Sequence, residues 1–280
     1  MIKLVLSDID DTLIPLGSKC ASKCVIESIY NLQSSGVYFA PASGRDTDGL
    51  EKLFQGHPDC YKTALVSNAK IIRHNNINIK ISYLNSTELE KVYKVINKDP
   101  FSFMIVRTKE QDFLLGYDKE LKVNWDKLDI KNNLRTLVKM PQTPIISATI
   151  ICVKELSYLS RLLLQLNKET DQLDFLASSS HIVDICQTGW NKASGLNILL
   201  NELGITKQEV LFFGDSQNDL PLIDALPYSV AVENATDEVK KRATFTIGSC
   251  SENSVARFFT KLIEYNKHDV PVCKWDIQKT

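Results

Sequence analysis

The chain has 280 residues, 44% apolar and 24% charged, with 33 Lys and Arg against 34 Asp and Glu. That length corresponds to about two domains at ~150 residues each, with enough buried surface for a full core. A net charge of -1 provides no bulk attraction to nucleic acid or to an anionic membrane. The longest apolar-rich run, Ile145 to Val153, is far short of the ~20 residues a membrane span needs. Asp8 interrupts the N-terminal apolar run too early for a signal peptide. Seven cysteines in no regular spacing and four scattered histidines make no zinc signature. A cytoplasmic protein with reduced thiols is the expectation.

In chain order, Lys3 to Ser7 reads as a buried strand and Cys20 to Gln33 as a helix stopped at Gly36. Val37 to Ala42 is a second strand, Asp46 to Phe54 a second helix, and Ala64 to Ser67 a third strand. A βαβαβ order of this kind predicts a parallel, doubly wound α/β sheet of Rossmann-like type. The middle of the chain changes character. Thr87 and Glu90 form a capping box ahead of a helix to Asn97. Phe101 to Arg107, Asp112 to Tyr117 and Ile145 to Val153 read as strands, followed by a leucine-rich helix over Leu156 to Asn167. Phe175 to Ala177 and Ile182 to Cys186 are further strands. The pattern predicts an α+β insert over residues 83–186 that splits a core made of residues 1–82 and 187–280. The core then resumes with a helix over Ser194 to Leu203, a strand over Val210 to Phe213 and a short helix over Leu220 to Ala225. A strand over Ser229 to Val232, a helix over Thr236 to Arg242 and a terminal helix over Ser254 to Tyr265 complete it.

Three core strands run directly into polar residues. The first ends in Ser7-Asp8-Ile9-Asp10-Asp11-Thr12, the second in Ala42-Ser43-Gly44-Arg45, and a later one in Gly214-Asp215-Ser216-Gln217-Asn218-Asp219. In a parallel sheet these are all carboxyl ends, so they converge on the edge where open α/β sheets bind ligands. Several carboxylates in one crevice repel one another unless protonated or neutralised by a cation. An all-oxygen ligand set of this kind suits Mg²⁺.

The motif DIDDT at Asp8–Thr12 resembles the D-x-D-x-T signature of the haloacid dehalogenase-like phosphohydrolases. ASGR at 42–45, GWNKASGL at 189–196 and GDSQND at 214–219 are similar to that superfamily's second, lysine and acidic motifs, in the same order. The spacing resembles the Cof-type subfamily, whose C2-type cap is inserted between the second motif and the lysine. The segment VAVENATDEVKKRAT at 230–244 is similar to that subfamily's C-terminal stretch.

The resemblance implies a site. Asp8 would be the nucleophile, forming an aspartyl-phosphate, and Asp10 the general acid and base. Ser43 and the Gly44 and Ile9 amides would hold phosphoryl oxygens, with Asn218 as a further donor. Lys192 would neutralise the transferring phosphoryl group. Asp215 would bind Mg²⁺ with the Asp8 carboxylate and the Asp10 carbonyl. Asp219 would act through water or orient Lys192. Arg45 would either reach the phosphate or make a salt bridge to the cap. Three positions depart from the family pattern: Asp11 and Ala193 stand where relatives often have Gly, and Asn68-Ala69-Lys70 where they often have Asn-Gly-Ala. Trp190 and Trp125 are candidates for pocket lining or for packing.

The function implied is Mg²⁺-dependent hydrolysis of small phosphomonoesters, sugar phosphates foremost, with the cap setting selectivity. Two other functions fit the same residues. A phosphomutase or phosphotransferase would pass the phosphoryl group to a hydroxyl. A non-enzymatic phospho-acceptor domain would keep it, but such modules lack a cap of ~100 residues and an acid placed two residues after the nucleophile.

Overall fold

The structure, a computed structural model, describes residues 1–117, 134–177 and 180–277. Trp125 lies outside the described residues. The chain divides into two compact units, Met1–Ile81 with Asn191–Thr280, and Ser82–Trp190.

The first unit starts with β1 (Leu4–Ser7), buried along its whole length. Its run of Leu-Val-Leu needs apolar cover on both faces, which only a central strand provides. Helix α1 (Lys23–Ser34) is capped by Ser22, whose side chain accepts from the Val25 amide. Strand β2 (Tyr38–Pro41) pairs parallel with β1. Helix α2 (Thr47–Phe54) is capped by Asp46 through the Gly49 amide.

The third predicted strand belongs elsewhere. Strand β3 (Ala64–Val66) runs beside the end of β2 through the parallel bridge of Leu65 to Ala42 and the Ser43 amide bond to the Leu65 carbonyl, without joining the five-stranded sheet. It pairs antiparallel with β4 (Ile71–His74), which pairs with β5 (Ile77–Ile81), giving a separate three-stranded sheet. The β4–β5 hairpin turns on Asn75 and Asn76, both with positive φ (48° and 65°). Two left-handed residues make the primed turn that matches strand twist, and Asn is among the few side chains that enter that region readily.

The second unit begins with α3 (Ser86–Ile96), capped by Asn85 and not by Thr87. The Asn85 carboxamide oxygen accepts from the Thr87 and Glu88 amides, at 3.0 and 3.4 Å. Its strands are β6 (Ser102–Arg107), β7 (Asp112–Leu115), β8 (Arg135–Leu137) and β9 (Ser147–Cys152). Helix α4 (Leu156–Glu169) then leads to β10 (Leu173–Ala177) and β11 (Ile182–Gln187). The sheet order is β10-β11-β9-β6-β7-β8, antiparallel except for β7 beside β8. Leu89, Val92 and Ile96 of α3 and Leu159, Leu162 and Leu166 of α4 pack on Met104, Val106 and Ile150. Phe103 and Ile151, one residue out of step, form a cluster on the other face, as a period of two requires.

The chain re-enters the first unit with a 3₁₀ turn over Lys192–Gly195 and α5 (Leu196–Leu203), ended by left-handed Gly204. Strand β12 (Val210–Gly214) follows, then α6 (Leu220–Ala225), β13 (Ser229–Val232), α7 (Asp237–Arg242), β14 (Phe245–Ile247) and α8 (Ser254–Lys267). The five-stranded sheet β14-β13-β12-β1-β2 is parallel throughout. Phe258 and Phe259 of α8 meet Phe213 of β12 edge-on, with ring centroids 5.6 and 5.8 Å away. Among the described residues no helix is long and apolar enough to cross a membrane. None of the seven cysteines takes part in a disulfide.

Candidate active site

Parallel pairing sets the site. Ser7 lies beside Phe213 on one side and Pro41 on the other. The Asp8 amide donates to the Phe213 carbonyl at 2.9 Å, and the Ala42 amide to the Ser7 carbonyl at 2.8 Å. The segments after β1, β2 and β12 therefore leave the sheet side by side, carrying Asp8 to Thr12, Ser43 to Arg45 and Asp215 to Asp219.

Lys192 organises the centre. Its side chain is 1% exposed, and Nζ donates to Asp8 Oδ1 and to Asp219 Oδ1, both at 2.7 Å. The approach of Lys192 is fixed locally. Asn191 Oδ1 accepts from the Ala193 amide at 2.9 Å and Ser194 Oγ from the Asn191 amide at 3.0 Å, a reciprocal cap on the 3₁₀ turn. Gly195 makes this turn pack tightly, because a Cβ there would lie 3.0 Å from Ala69 and Ile72.

Asp219 is fully buried, with both oxygens engaged. Its Oδ2 accepts from the Asp215 and Ser216 amides at 2.9 and 3.1 Å, while Oδ1 takes the Lys192 bond. Gly214 has no alternative, since a Cβ would fall 2.8 Å from the Asp219 side chain. Asp215 is oriented by Thr12, whose hydroxyl donates to Asp215 Oδ1 at 2.6 Å. Thr12 is a site residue that strand and helix patterning does not single out. Its only signal is its place at the end of DIDDT.

The electrostatics follow from burial. Desolvation pushes the Asp8 carboxyl up to about 8, against the pull of Lys192 and with the help of the Asp219 charge. Asp215 is raised to about 6, again mainly by burial, with the Thr12 hydrogen bond opposing. Burial alone would lower the Lys192 pKa, but the Asp219 and Asp8 carboxylates outweigh it and hold the ammonium charged well above the ordinary lysine range. Asp8, Asp215 and Asp219 each offer an oxygen, all within 4.8 Å of one another. The second oxygens of Asp8 and Asp215 accept no hydrogen bond from the described residues. Three carboxylates facing one ammonium, two of them with an oxygen to spare, fit a hard divalent cation.

Asp10 faces a different partner. Arg45 Nε donates to Asp10 Oδ2 at 2.8 Å and an Arg45 terminal nitrogen donates to Asp10 Oδ1 at 2.7 Å. The guanidinium thus grips the proposed acid, a partner that neither sequence alternative for Arg45 named. Asp11 has φ 57°, in the left-handed region where relatives often have Gly. Its carboxylate repays part of that strain by accepting from the Leu16 amide at 2.8 Å.

Ser43 Oγ accepts from the Arg45 amide at 3.1 Å, which leaves the hydroxyl proton to donate elsewhere. Gly44 and Asn218 are exposed on the flanking loops, and Asn218 Oδ1 accepts from Ser216 Oγ at 2.8 Å. Ile9 is buried between the two acids, its carbonyl accepting from the Leu13 and Ile14 amides. Ser67, Asn68 and Ala69 are consecutive left-handed residues beside Ser43, with the Asn68 amide donating to the Ser43 carbonyl at 2.9 Å. Ala69 therefore keeps the backbone shape that a glycine would adopt without strain. Trp190 falls in the second unit.

Comparison with known proteins decides the family. The haloacid dehalogenase-like hydrolases match residues 5–259. The chain belongs to this family. Among haloacid dehalogenase-like relatives, the 5-amino-6-(5-phospho-D-ribitylamino)uracil phosphatase YitU of Bacillus subtilis is 24% identical over 264 residues, covering 91% of this chain and 95% of that protein. The B. subtilis phosphatase YwtE, of the same name, is 35% identical over 96 residues, only 34% of either protein. A solved HAD subclass IIB sugar phosphatase shares the fold with a TM-score of 0.74 at 17% identity, over 93% of this chain and 98% of that one.

Proposed function

We propose that this haloacid dehalogenase-like chain is a Mg²⁺-dependent phosphatase of small phosphomonoesters, with sugar phosphates as the first substrate class. The observation that carries the reading is the buried ammonium of Lys192 held between Asp8 and Asp219, beside Asp215. In this reading an Asp8 oxygen attacks phosphorus while the ester P–O bond breaks, and Asp10 gives its proton to the leaving oxygen. Water then loses a proton to Asp10 and attacks phosphorus. The Asp8 O–P bond breaks, and inorganic phosphate leaves. Lys192, Ser43, Asn218 and the Ile9 and Gly44 amides stabilise the phosphoryl oxygens. Mg²⁺, held by Asp8, Asp215 and the Asp10 carbonyl, would neutralise phosphoryl charge. Asp219 acts by orienting Lys192, since its own oxygens are already engaged.

The same proposal assigns residues 1–82 and 187–280 as the catalytic core, and residues 83–186 as an inserted cap that selects the leaving group. The sugar phosphatase with this fold and the two phosphoribityl-compound phosphatases support a small, polar phosphate ester. Near-neutral charge and cysteines outside any disulfide support a cytoplasmic enzyme acting on small molecules.

The test is phosphate release from p-nitrophenyl phosphate and a panel of sugar phosphates, with and without Mg²⁺, for the natural chain and Asp8→Asn. Turnover that requires both Mg²⁺ and Asp8 is expected. An isomerised sugar phosphate in place of free phosphate would move the chain to the mutases. A long-lived phosphoprotein without turnover would make it a phospho-acceptor.

A further inference from the structure

Asn234 lies in the turn after β13, outside every segment given a role above. It is exposed, yet its carboxamide is not left to water. Its Nδ2 donates to the Asp11 carbonyl at 2.7 Å, and its Oδ1 accepts from the Cys250 amide at 2.8 Å. One side chain thus joins the loop after β1 to the turn that starts α8, across 223 residues in one direction and 16 in the other.

The peptide it holds is a demanding one. Asp11 is left-handed, and the loop is otherwise closed by its own bonds, from the Asp11 amide to Ile14 and from the Leu13 and Ile14 amides to Ile9. Those bonds fix the loop's shape but not its position against Asp215. Besides the Lys192 bond to Asp8, two side-chain bonds among the described residues tie it to the later half of the chain. Thr12 Oγ1 reaches Asp215 Oδ1, and Asn234 reaches the Asp11 carbonyl. The same turn grips the Asp215 loop as well, because the Thr236 amide donates to the Asp215 carbonyl at 2.9 Å. The turn over residues 233–236 therefore braces both acid-bearing loops from behind. Its own shape is set by the Ala235 amide bonded to Val232 at 2.9 Å.

We infer that Asn234 is a positioning residue: by donating to the Asp11 carbonyl it sets the spacing between the loop that carries Asp8 and Asp10 and the loop that carries Asp215. The inference rests on the proposed phosphatase reading for its kinetic consequence, but not for its structural one. In-line transfer depends on sub-ångström placement of nucleophile and acid, and a misplacement of about 1 Å costs up to ~100-fold in rate. Asn234 touches none of the reacting groups, so its loss acts on the rate of transfer and not on substrate affinity.

Two variants and two readouts test it. Asn234→Ala removes both bonds. Asn234→Asp keeps an acceptor for the Cys250 amide but cannot donate to the Asp11 carbonyl. Amide hydrogen exchange followed on the peptide spanning residues 9–16 is expected to speed up at least about fivefold in both variants, with melting temperature nearly unchanged because the residue is exposed. In the phosphatase assay, kcat is expected to fall about tenfold in both, with KM within about twofold. Loop exchange at the natural rate in Asn234→Ala overturns the inference whatever the turnover. Recovery of natural exchange or kcat in Asn234→Asp also overturns it, because the Cys250 tether alone would then explain the effect. Faster exchange with unchanged kcat in an active enzyme overturns the kinetic part. If the natural chain releases no phosphate from any substrate, the phosphatase reading fails, while faster exchange in both variants still upholds the structural role of Asn234.

Discussion

Lys192 and Arg45 each bind an aspartate of the same short loop, yet they sit in opposite surroundings. The Lys192 side chain is 1% exposed and holds Asp8 and Asp219, exposed to 8% and 0%. Arg45 and Asp10 keep 27% and 30% of their side chains in solvent. Water cannot replace a bond around Lys192, so that ammonium is a fixed part of the site. Water can replace either bond of the Arg45–Asp10 pair, and a bidentate pair near the surface is worth only about 1 kcal/mol or less. The contrast teaches that Asp8 is built in place by partners that water cannot reach, whereas Asp10 is held by a pair that can open. In the proposed reaction the first arrangement suits a nucleophile and the second an acid that must reach a leaving group.

The sharpest way to break this comparison is to remove the buried partner. Lys192→Met leaves two carboxylates facing each other without a cation. Turnover is expected to fall by at least ~10³, and stability by about 3–5 kcal/mol, as for a buried ion pair that loses one member. Asp8→Asn separates the two effects. It removes the proposed nucleophile and one buried acid, so turnover is expected to be abolished while the melting temperature holds or rises. Steady-state kinetics and thermal melts of the two variants check this. A fully stable Lys192→Met protein would show that the lysine is not the keystone of the cluster.

The exposed pair calls for a smaller change. Arg45→Lys keeps the charge but loses the planar fork that binds both Asp10 oxygens. Stability is expected to stay within ~1 kcal/mol, while kcat falls by no more than about tenfold. Thermal melts and steady-state kinetics of the variant check this. A kcat identical to that of the natural chain would mean that the planar fork on Asp10 adds nothing to turnover.

The buried half of this comparison was far more legible in the sequence than the exposed half. Apolar strands running into DIDDT, ASGR and GDSQND place their chemistry at the carboxyl edge by topology alone, and the parallel order β12-β1-β2 brings those three segments together. Lys192 was found by its motif, but its two partners depend on a reciprocal cap by Asn191 and Ser194 that no hydrophobic pattern reports. The Arg45–Asp10 pair spans 35 residues and rests on two loop conformations, one with left-handed Asp11, so periodicity carries no trace of it. The β4–β5 hairpin was missed for a related reason. Its strands IIRH and INIKI are interrupted by the polar Asn75-Asn76, which reads as loop until its primed turn is seen. In the second unit, the expected cap at Thr87 lay two residues late because Asn85 is the better acceptor in position. That unit's packed face was visible in the leucine spacing of α4.

The smallest expected effect is also the one that ties the buried acid to a cation. Burial pushes the Asp8 carboxyl up to about 8 from its ordinary value of 3.8. A carboxyl whose pKa is higher folded than unfolded favours the native state in its protonated form. Its contribution is full below about pH 4 and is lost as pH rises toward about 8. Chelator-treated protein should therefore melt progressively lower between pH 5 and pH 8, on the order of a few degrees. Added Mg²⁺ should recover more of that loss at pH 8 than at pH 6, because the cation competes with the proton for the same oxygens. Asp8→Asn should remove the slope above about pH 6, leaving below it the part that belongs to Asp215, and Arg45→Lys should leave both trends intact. Calorimetric melts across that range give the answer. A slope between pH 6 and pH 8 that survives in Asp8→Asn would place the titration elsewhere, and a Mg²⁺ gain that does not grow with pH would separate the cation from the Asp8 carboxylate.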